Sequence, residues 1–275
     1  MSDVAILGCG PAGLLAAHAA SLCGHSVNIF SKKQKSPMEG AQYMHTEIPD
    51  VHQPPPSMIK YTLIGDVDVY RQKVYGSGDP DITVSPEQYL GSHKCWDLRA
   101  TYSYLWDQWE SRIRNLPITQ QALEHITNMN DFVISTIPAP VICAHSEDGH
   151  EFQYVPVWID NQWSGPLPAE APDLWDGHQN LVICNGLEGD MDNPVHTGWY
   201  RTSHIYGHTN TEWARAQYVP DSRTREDMAG IWRVRKPIMT NCDCWQNIIR
   251  CGRYGLWQKG VLTHHAFERV INLLS

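Results

Sequence analysis

Apolar residues cluster early in this chain. Val4-Ala5-Ile6-Leu7 and Val27-Asn28-Ile29-Phe30 form two short runs on either side of an Ala/Leu-rich stretch from Pro11 to Leu22. A short apolar run, a Gly-rich turn, a helical stretch and a second apolar run predict a βαβ unit whose strands are buried in a parallel sheet. Residues 34–57 are polar and end in Pro54-Pro55-Pro56, which no central strand accommodates. Residues 58–75 alternate like a strand pair around Gly65-Asp66, and Ser85-Pro86-Glu87 has the cap and first-turn proline of a short helix. Trp96 to Ile113 predicts a longer helix with Leu98, Tyr102, Leu105, Trp109 and Ile113 on one face. Asp131 to Ile137 is a β-branched strand expected to return to the first sheet. From Glu151 to about Ile238 the pattern turns β-rich, with Phe152, Tyr154, Val157 and Ile159 in one run and Leu181 to Cys184 in another.

The turn after the first run is Gly8-Cys9-Gly10-Pro11-Ala12-Gly13. Each glycine has a task in a dinucleotide site: Gly8 for the tight turn, Gly10 so that backbone can approach a pyrophosphate, and Gly13 so that helix and strand pack closely. The phosphates then sit on a helix N-terminus, whose free N–H groups and dipole favour anions. At the end of the second strand, where such sites usually carry an acid for the ribose hydroxyls, this chain has Ser31-Lys32-Lys33. Two lysines there can read a 2′-phosphate, so NADP competes with FAD at this point. Pro11-Ala12 within the turn favours FAD.

The C-terminal stretch Cys251-Gly252-Arg253-Tyr254-Gly255-Leu256-Trp257-Gln258-Lys259-Gly260-Val261-Leu262-Thr263 resembles the closing FAD motif of flavoproteins of the glutathione-reductase-like class. The resemblance implies that Gly252 and Arg253 contact the pyrophosphate and ribityl. It also implies that Gly260 starts a helix whose first N–H groups, at Gly260, Val261 and Leu262, face the flavin pyrimidine ring and favour the negative charge of reduced flavin.

Further segments extend the likeness over nearly the whole chain: Gly40-Ala41-Gln42-Tyr43-Met44-His45, Tyr70 to Gly76, Trp96-Asp97-Leu98-Arg99-Ala100, Ser135-Thr136-Ile137-Pro138 and Trp199-Tyr200-Arg201-Thr202-Ser203. Together they resemble small FAD-dependent oxidoreductases encoded largely by bacteriophages. The implied fold is α/β, with a Rossmann-type FAD-binding domain from residues 1–145 and 239–275, a helical insertion at about 85–118, and a smaller mixed β-rich substrate domain at 146–238. The resemblance implies cofactor contacts by Gln42, Arg99 and Thr136 as well. It further implies a role in thymidine hypermodification, in which glycine attached to the thymine methyl group of DNA is oxidised to leave an aminomethyl base.

Charge and composition narrow the partners. The chain carries 21 Lys and Arg against 30 Asp and Glu, a formal charge of −9, so it is not drawn as a whole to a phosphate backbone. DNA contact would need a local basic patch, for which Lys32 to Lys35 and Arg223 to Arg235 are the candidates. A modified base would have to be flipped out or single-stranded to reach a buried ring. Eleven Trp and twelve Tyr against four Phe suit a pocket for a planar ring with polar handles. No apolar run is long enough for a membrane span and no basic leader precedes the glycine motif, so a cytoplasmic protein is expected, in a phage-infected bacterium if the resemblance holds. The eight cysteines show no disulfide framework. Cys242-Asp243-Cys244, even with Cys251, His264 and His265, is poor metal spacing, and no metal is expected.

A bound flavin supplies the two-electron step, so few acid–base groups are needed. Arg201 is the candidate clamp for a substrate carboxylate, because its planar fork matches that group. Tyr200 and Tyr254 are candidates to orient the substrate, and His45 to move a proton near neutral pH. Lys259 is the candidate cation beside the flavin, where it would activate oxygen or stabilise reduced flavin. The expected activity is oxidation of a C–N bond of an amine, with molecular oxygen as acceptor. The alternatives are a flavin-dependent sugar mutase, whose endings also carry Gly-Arg, and an NADP-linked reductase or nucleotide-binding module.

Overall fold

A computed structural model describes residues 1–75, 90–145, 149–161, 180–188, 198–214 and 231–275. Two sheets organise them. The first is fully parallel, in the order β13-β7-β1-β2-β6, from β1 (Asp3–Leu7), β2 (Ser26–Ser31), β6 (Ile113–Asn115), β7 (Phe132–Ser135) and β13 (Ile248–Arg250). Val4 to Leu7 are wholly buried, as a central parallel strand covered on both faces requires. Helices α1 (Pro11–Leu22), α3 (Leu98–Trp109) and the C-terminal α7 (His265–Leu274) cover one face. Helix α4 (Gln120–Met129) and the short α5 (Ala139–Ile142) cover the other, through Leu123, Ile126 and Ile142.

The second sheet runs β12-β8-β11-β10-β9-β4-β5-β3. It combines β8 (Phe152–Asp160), β9 (Leu181–Gly186), β10 (Arg201–Ile205), β11 (His208–Trp213) and β12 (Ile231–Thr240) with β3 (Tyr43–Met44), β4 (Ser57–Gly65) and β5 (Gly91–Asp97). All neighbours are antiparallel except β4 and β9, so the expected mixed sheet is present. It also takes three strands from residues 43–97. The chain therefore crosses between the sheets repeatedly.

Two local expectations are corrected. The strand pair over 58–75 is a strand, β4, followed by a helix, α2 (Val67–Tyr75), which opens at Asp66, whose Oδ1 accepts from the Asp68 N–H at 2.7 Å. Its buried residues, Tyr70 and Val74, stand four apart on one helical face. The helix expected over Trp96 to Ile113 spans Leu98–Trp109: Asp97 still belongs to β5 and caps it, accepting from the N–H groups of Arg99 and Ala100 at 2.8 and 3.1 Å, and Ile113 opens β6. The helix expected at Ser85-Pro86-Glu87 lies outside the described residues.

Candidate functional site

The glycine turn has the geometry its sequence implies. Gly8 sits at φ +106°, where a side chain is strained. A Cβ on Gly13 would lie 2.1 Å from the Gly8 carbonyl oxygen, so helix and turn touch backbone to backbone. Gly10, the N-cap of α1, has nothing within 4 Å of where a Cβ would stand. Pro11 takes the first helical position, and the first turn of α1 carries no acidic residue. Open space therefore lies over a helix end whose N–H groups need an acceptor.

That space is part of a cavity of about 490 Å³ running from Gly8–Gly13 to Ser31, Lys32 and Thr136. Pro11, Ala12, Ser36, Thr136 and Tyr254 also line a second cavity of about 360 Å³, which continues beneath the second sheet. Its wall includes Gln42, His45, Arg201, Arg253, Val261 and Leu262, together with Glu212 and Lys236, which the sequence did not single out. The two form one bent groove across the N-terminus of α1, with volumes in the range of ligand sites.

A four-residue polar network closes the inner end. Arg201 and Glu212 are cross-strand partners on β10 and β11. Glu212, fully buried, takes Arg201 Nη2 on Oε1 and both Lys236 Nζ and the Tyr200 hydroxyl on Oε2. Arg201 Nε donates to the same Oε1 at 3.2 Å, and Lys236 Nζ stands 2.9 Å from the Tyr200 hydroxyl. Burial works against the Glu212 carboxylate, but Arg201 and Lys236 outweigh it and hold the group well below the usual range. Lys236 goes the other way. Burial brings its ammonium down to about 7, aided by Arg201 and Arg253 and opposed by Glu212. The side chains of Arg201 and Lys236 keep 22% and 18% of their exposure, and both line the cavity.

The remaining predicted residues separate into those at the groove and those behind it. Two of Arg201's donors are engaged by Glu212, so its fork is not the open clamp expected. Tyr200 is buried behind Glu212 rather than lining the groove. Arg253, on the short helix α6 (Gly252–Leu256), has its Nε buried without a hydrogen-bond partner among the described residues. Gly252 at φ +69° brings this helix against α1, since a Cβ there would lie 2.8 Å from that of Ala12. Tyr254 borders both cavities, and burial raises its hydroxyl pKa. His45 faces the inner cavity with its ring 6.0 Å from His264 and 6.5 Å from His93. Burial and the neighbouring His93 and His265 lower it, so it is neutral at pH 7.

Arg99 is one layer removed. Its Nη2 donates to the carbonyls of Met38 and Gly40 at 3.2 and 2.8 Å, so it holds the 38–40 loop that lines the groove. Lys33 pairs with Glu110 at 3.9 Å on the surface, leaving Lys32 alone of the two lysines in the groove. Lys259 sits with its Nζ 3.7 Å from the Tyr75 ring centre and lines neither cavity. The helix expected from Gly260 starts at His265 instead. Gly260, at φ +79°, makes a turn, and the Leu262 N–H donates to His265 Nδ1 at 3.1 Å. Val261 and Leu262 still border the cavity.

No protein-family model matches the chain, and no curated protein matches it. Among solved structures, it is similar to reduced UDP-galactopyranose mutase, with 10% identity and a TM-score of 0.53 over 100% of this chain and 93% of the other. It is similar to CtdE in complex with FAD, with 12% identity and a TM-score of 0.52 over 100% and 84%. The flavin-dependent halogenase CmlS has 13% identity and a TM-score of 0.51 over 99% and 57%. At such identities the likeness is one of fold: a parallel Rossmann-like sheet joined to a second sheet.

Proposed function

We propose that this chain is an FAD-dependent oxidoreductase that oxidises an amine at the carbon next to nitrogen. The observation that carries the cofactor assignment is the continuous groove over Gly10. It is open where a pyrophosphate would lie, and the buried Nε of Arg253, without a partner among the described residues, lies beside its inner half. These residues fit FAD: Ser31 and Lys32 would flank the adenosine end, the N-terminus of α1 and Arg253 the pyrophosphate, and Gln42, Val261 and Leu262 the ring. When bound, FAD would supply the two-electron acceptor for a hydride from the substrate carbon, with oxygen as the oxidant that is reduced to peroxide.

The chain's own residues supply the rest. An amine gives up a hydride readily only as the free base, so its ammonium proton must first be removed. Lys236, lowered to about 7 and facing the cavity, is the group we assign to take it. Glu212 stays ionised and fixes Lys236 and Arg201 in place. With Lys236 neutral, Arg201 and Arg253 are balanced on this wall by Glu39 and Glu212, and Arg201, which keeps part of its exposure to the cavity, is the cation a substrate carboxylate would meet. The oxidised product is an imine that water hydrolyses to a carbonyl compound and an amine. For the substrate we keep the group implied by the resemblance, glycine on a thymine methyl, released as glyoxylate.

The test is anaerobic mixing of the yellow protein with glycine-modified thymine DNA, free glycine or a nucleotide sugar. The reading predicts bleaching with the modified DNA, then recovery with peroxide on admission of air. A yellow protein that no amine bleaches would contradict the amine oxidase assignment while leaving the flavoprotein intact.

A further inference from the structure

Four of the five parallel-sheet strands lie in chain order on either side of excursions into the second sheet. The last excursion leaves from β7 to β8 and returns from β12 to β13. The outgoing crossover carries Cys143 and His150, and the returning one carries Cys242 and Cys244. The three sulfurs and one imidazole nitrogen lie within 4.8 Å of one another. Cys143 Sγ is 3.2 Å from His150 Nδ1 and 3.9 Å from Cys244 Sγ, which is 3.6 Å from His150 Nδ1. A tetrahedral zinc ion with its usual bond lengths needs ligand atoms about 3.4–3.8 Å apart. All four cysteine and histidine side chains are buried or half-buried, and none borders the groove.

The surroundings have the second layer that such a centre requires. His150 has its other nitrogen, Nε2, 3.8 Å from Asp243 Oδ1, longer than a hydrogen bond but on the side from which a carboxylate orients a ligating imidazole. Arg250 donates to the carbonyls of Cys242 and Cys244 at 3.0 and 2.8 Å and to Cys242 Sγ at 3.3 Å. Its guanidinium thus shapes the Cys-x-Cys loop. Three thiolates around a divalent ion leave one negative charge, and Arg250 offsets it.

We propose that Cys143, His150, Cys242 and Cys244 bind a structural zinc ion that clasps the two crossovers together. Soft thiolates select zinc over the hard cations, and four protein ligands leave no open position for catalysis. The clasp stands next to the groove without entering it. Thr136 follows β7 on the outgoing side and Arg253 follows β13 on the returning side, so the metal fixes the segments that carry both.

The test is the metal content of the full chain purified without chelator and under reducing conditions. About one zinc per chain is expected, released by a mercurial thiol reagent. After metal removal, titration of the wild type with Co²⁺ should give a thiolate-to-cobalt charge-transfer band and strong tetrahedral d–d absorption, saturating at one equivalent and reversed by Zn²⁺. Cys143→Ser and Cys244→Ser should each lose the metal, Asp243→Asn should bind it about tenfold more weakly, and Cys23→Ser, outside the cluster, should retain it. Wild-type protein with zinc far below stoichiometric and no charge-transfer band would overturn the proposal. So would a Cys143–Cys244 disulfide in the reduced preparation. The cobalt titration needs no variant, and neither readout depends on flavin or turnover.

Discussion

Replacing Glu212 with Gln tests whether the inner wall of the groove is one coupled network. The change keeps the shape but removes the carboxylate on which Arg201, Lys236 and Tyr200 converge. However the amide is turned, its NH2 faces donors on one side. Removing one partner of a buried ion pair costs about 3–5 kcal/mol, because the other charge is left without compensation. Lys236 makes this cost depend on pH. Its folded value is lowered from 10.5 to about 7, so the folded wild type takes up the proton only below about 7, whereas the unfolded chain holds it up to 10.5. The cost of that lowering is fully present below 7 and relieved as the pH climbs toward 10.5. Without Glu212 the lysine falls further, so at pH 6 it stays neutral in the variant and charged in the wild type. Each pH unit below about 7 then widens the stability gap by about 1.4 kcal/mol. Urea unfolding followed by tryptophan fluorescence should give a loss of about 3–5 kcal/mol at pH 8 and about 1.4 kcal/mol more at pH 6. A loss under about 1 kcal/mol at both values, typical of an exposed pair, would refute the coupled network.

Gly10→Ala and Gly13→Ala should part company. The first places its Cβ in open space and should leave the melting temperature unchanged while weakening FAD binding at least tenfold, a loss of about 1.4 kcal/mol. The second drives a Cβ to 2.1 Å from the Gly8 oxygen and should lower both stability and flavin content, by circular-dichroism melting and absorbance. Lys236→Met should abolish the limb near pH 7 in the rate of anaerobic flavin reduction, since the neutral amine is available above that pH and lost below it. It should also slow the step by about 10²–10⁴-fold at pH 8, measured by stopped flow. Arg253→Met should weaken FAD binding in fluorescence titration without changing the unfolding midpoint, because its buried Nε has no acceptor among the described residues.

The parts of the molecule that were legible in the sequence are those specified by neighbours in the chain. Gly8, Gly10 and Gly13 lie within six residues, and each meets the steric requirement its position implies. The strand ending at Ser135 returns beside β1, as its β-branched run predicts. Helix α2 was hidden because Val67-Asp68-Val69-Tyr70 alternates like a strand, while its buried pair, Tyr70 and Val74, shows helical spacing. The start of α3 was misplaced because its cap, Asp97, also ends a strand. The network at Glu212 and Lys236 had no local signature, since it depends on which strands become neighbours in a long-range sheet. The Cys-x-Cys pair lacked partners in its own segment, and the nearest thiol and imidazole come from about a hundred residues earlier in the chain.

Whether the groove over Gly10 holds FAD is read from the flavin that acid releases from the purified chain. FAD is expected in about one-to-one ratio with protein, recovered by the wild type when the stripped chain is mixed with FAD and not by Gly13→Ala. A folded, colourless chain that binds no FAD but takes up NADP through Lys32 would contradict it.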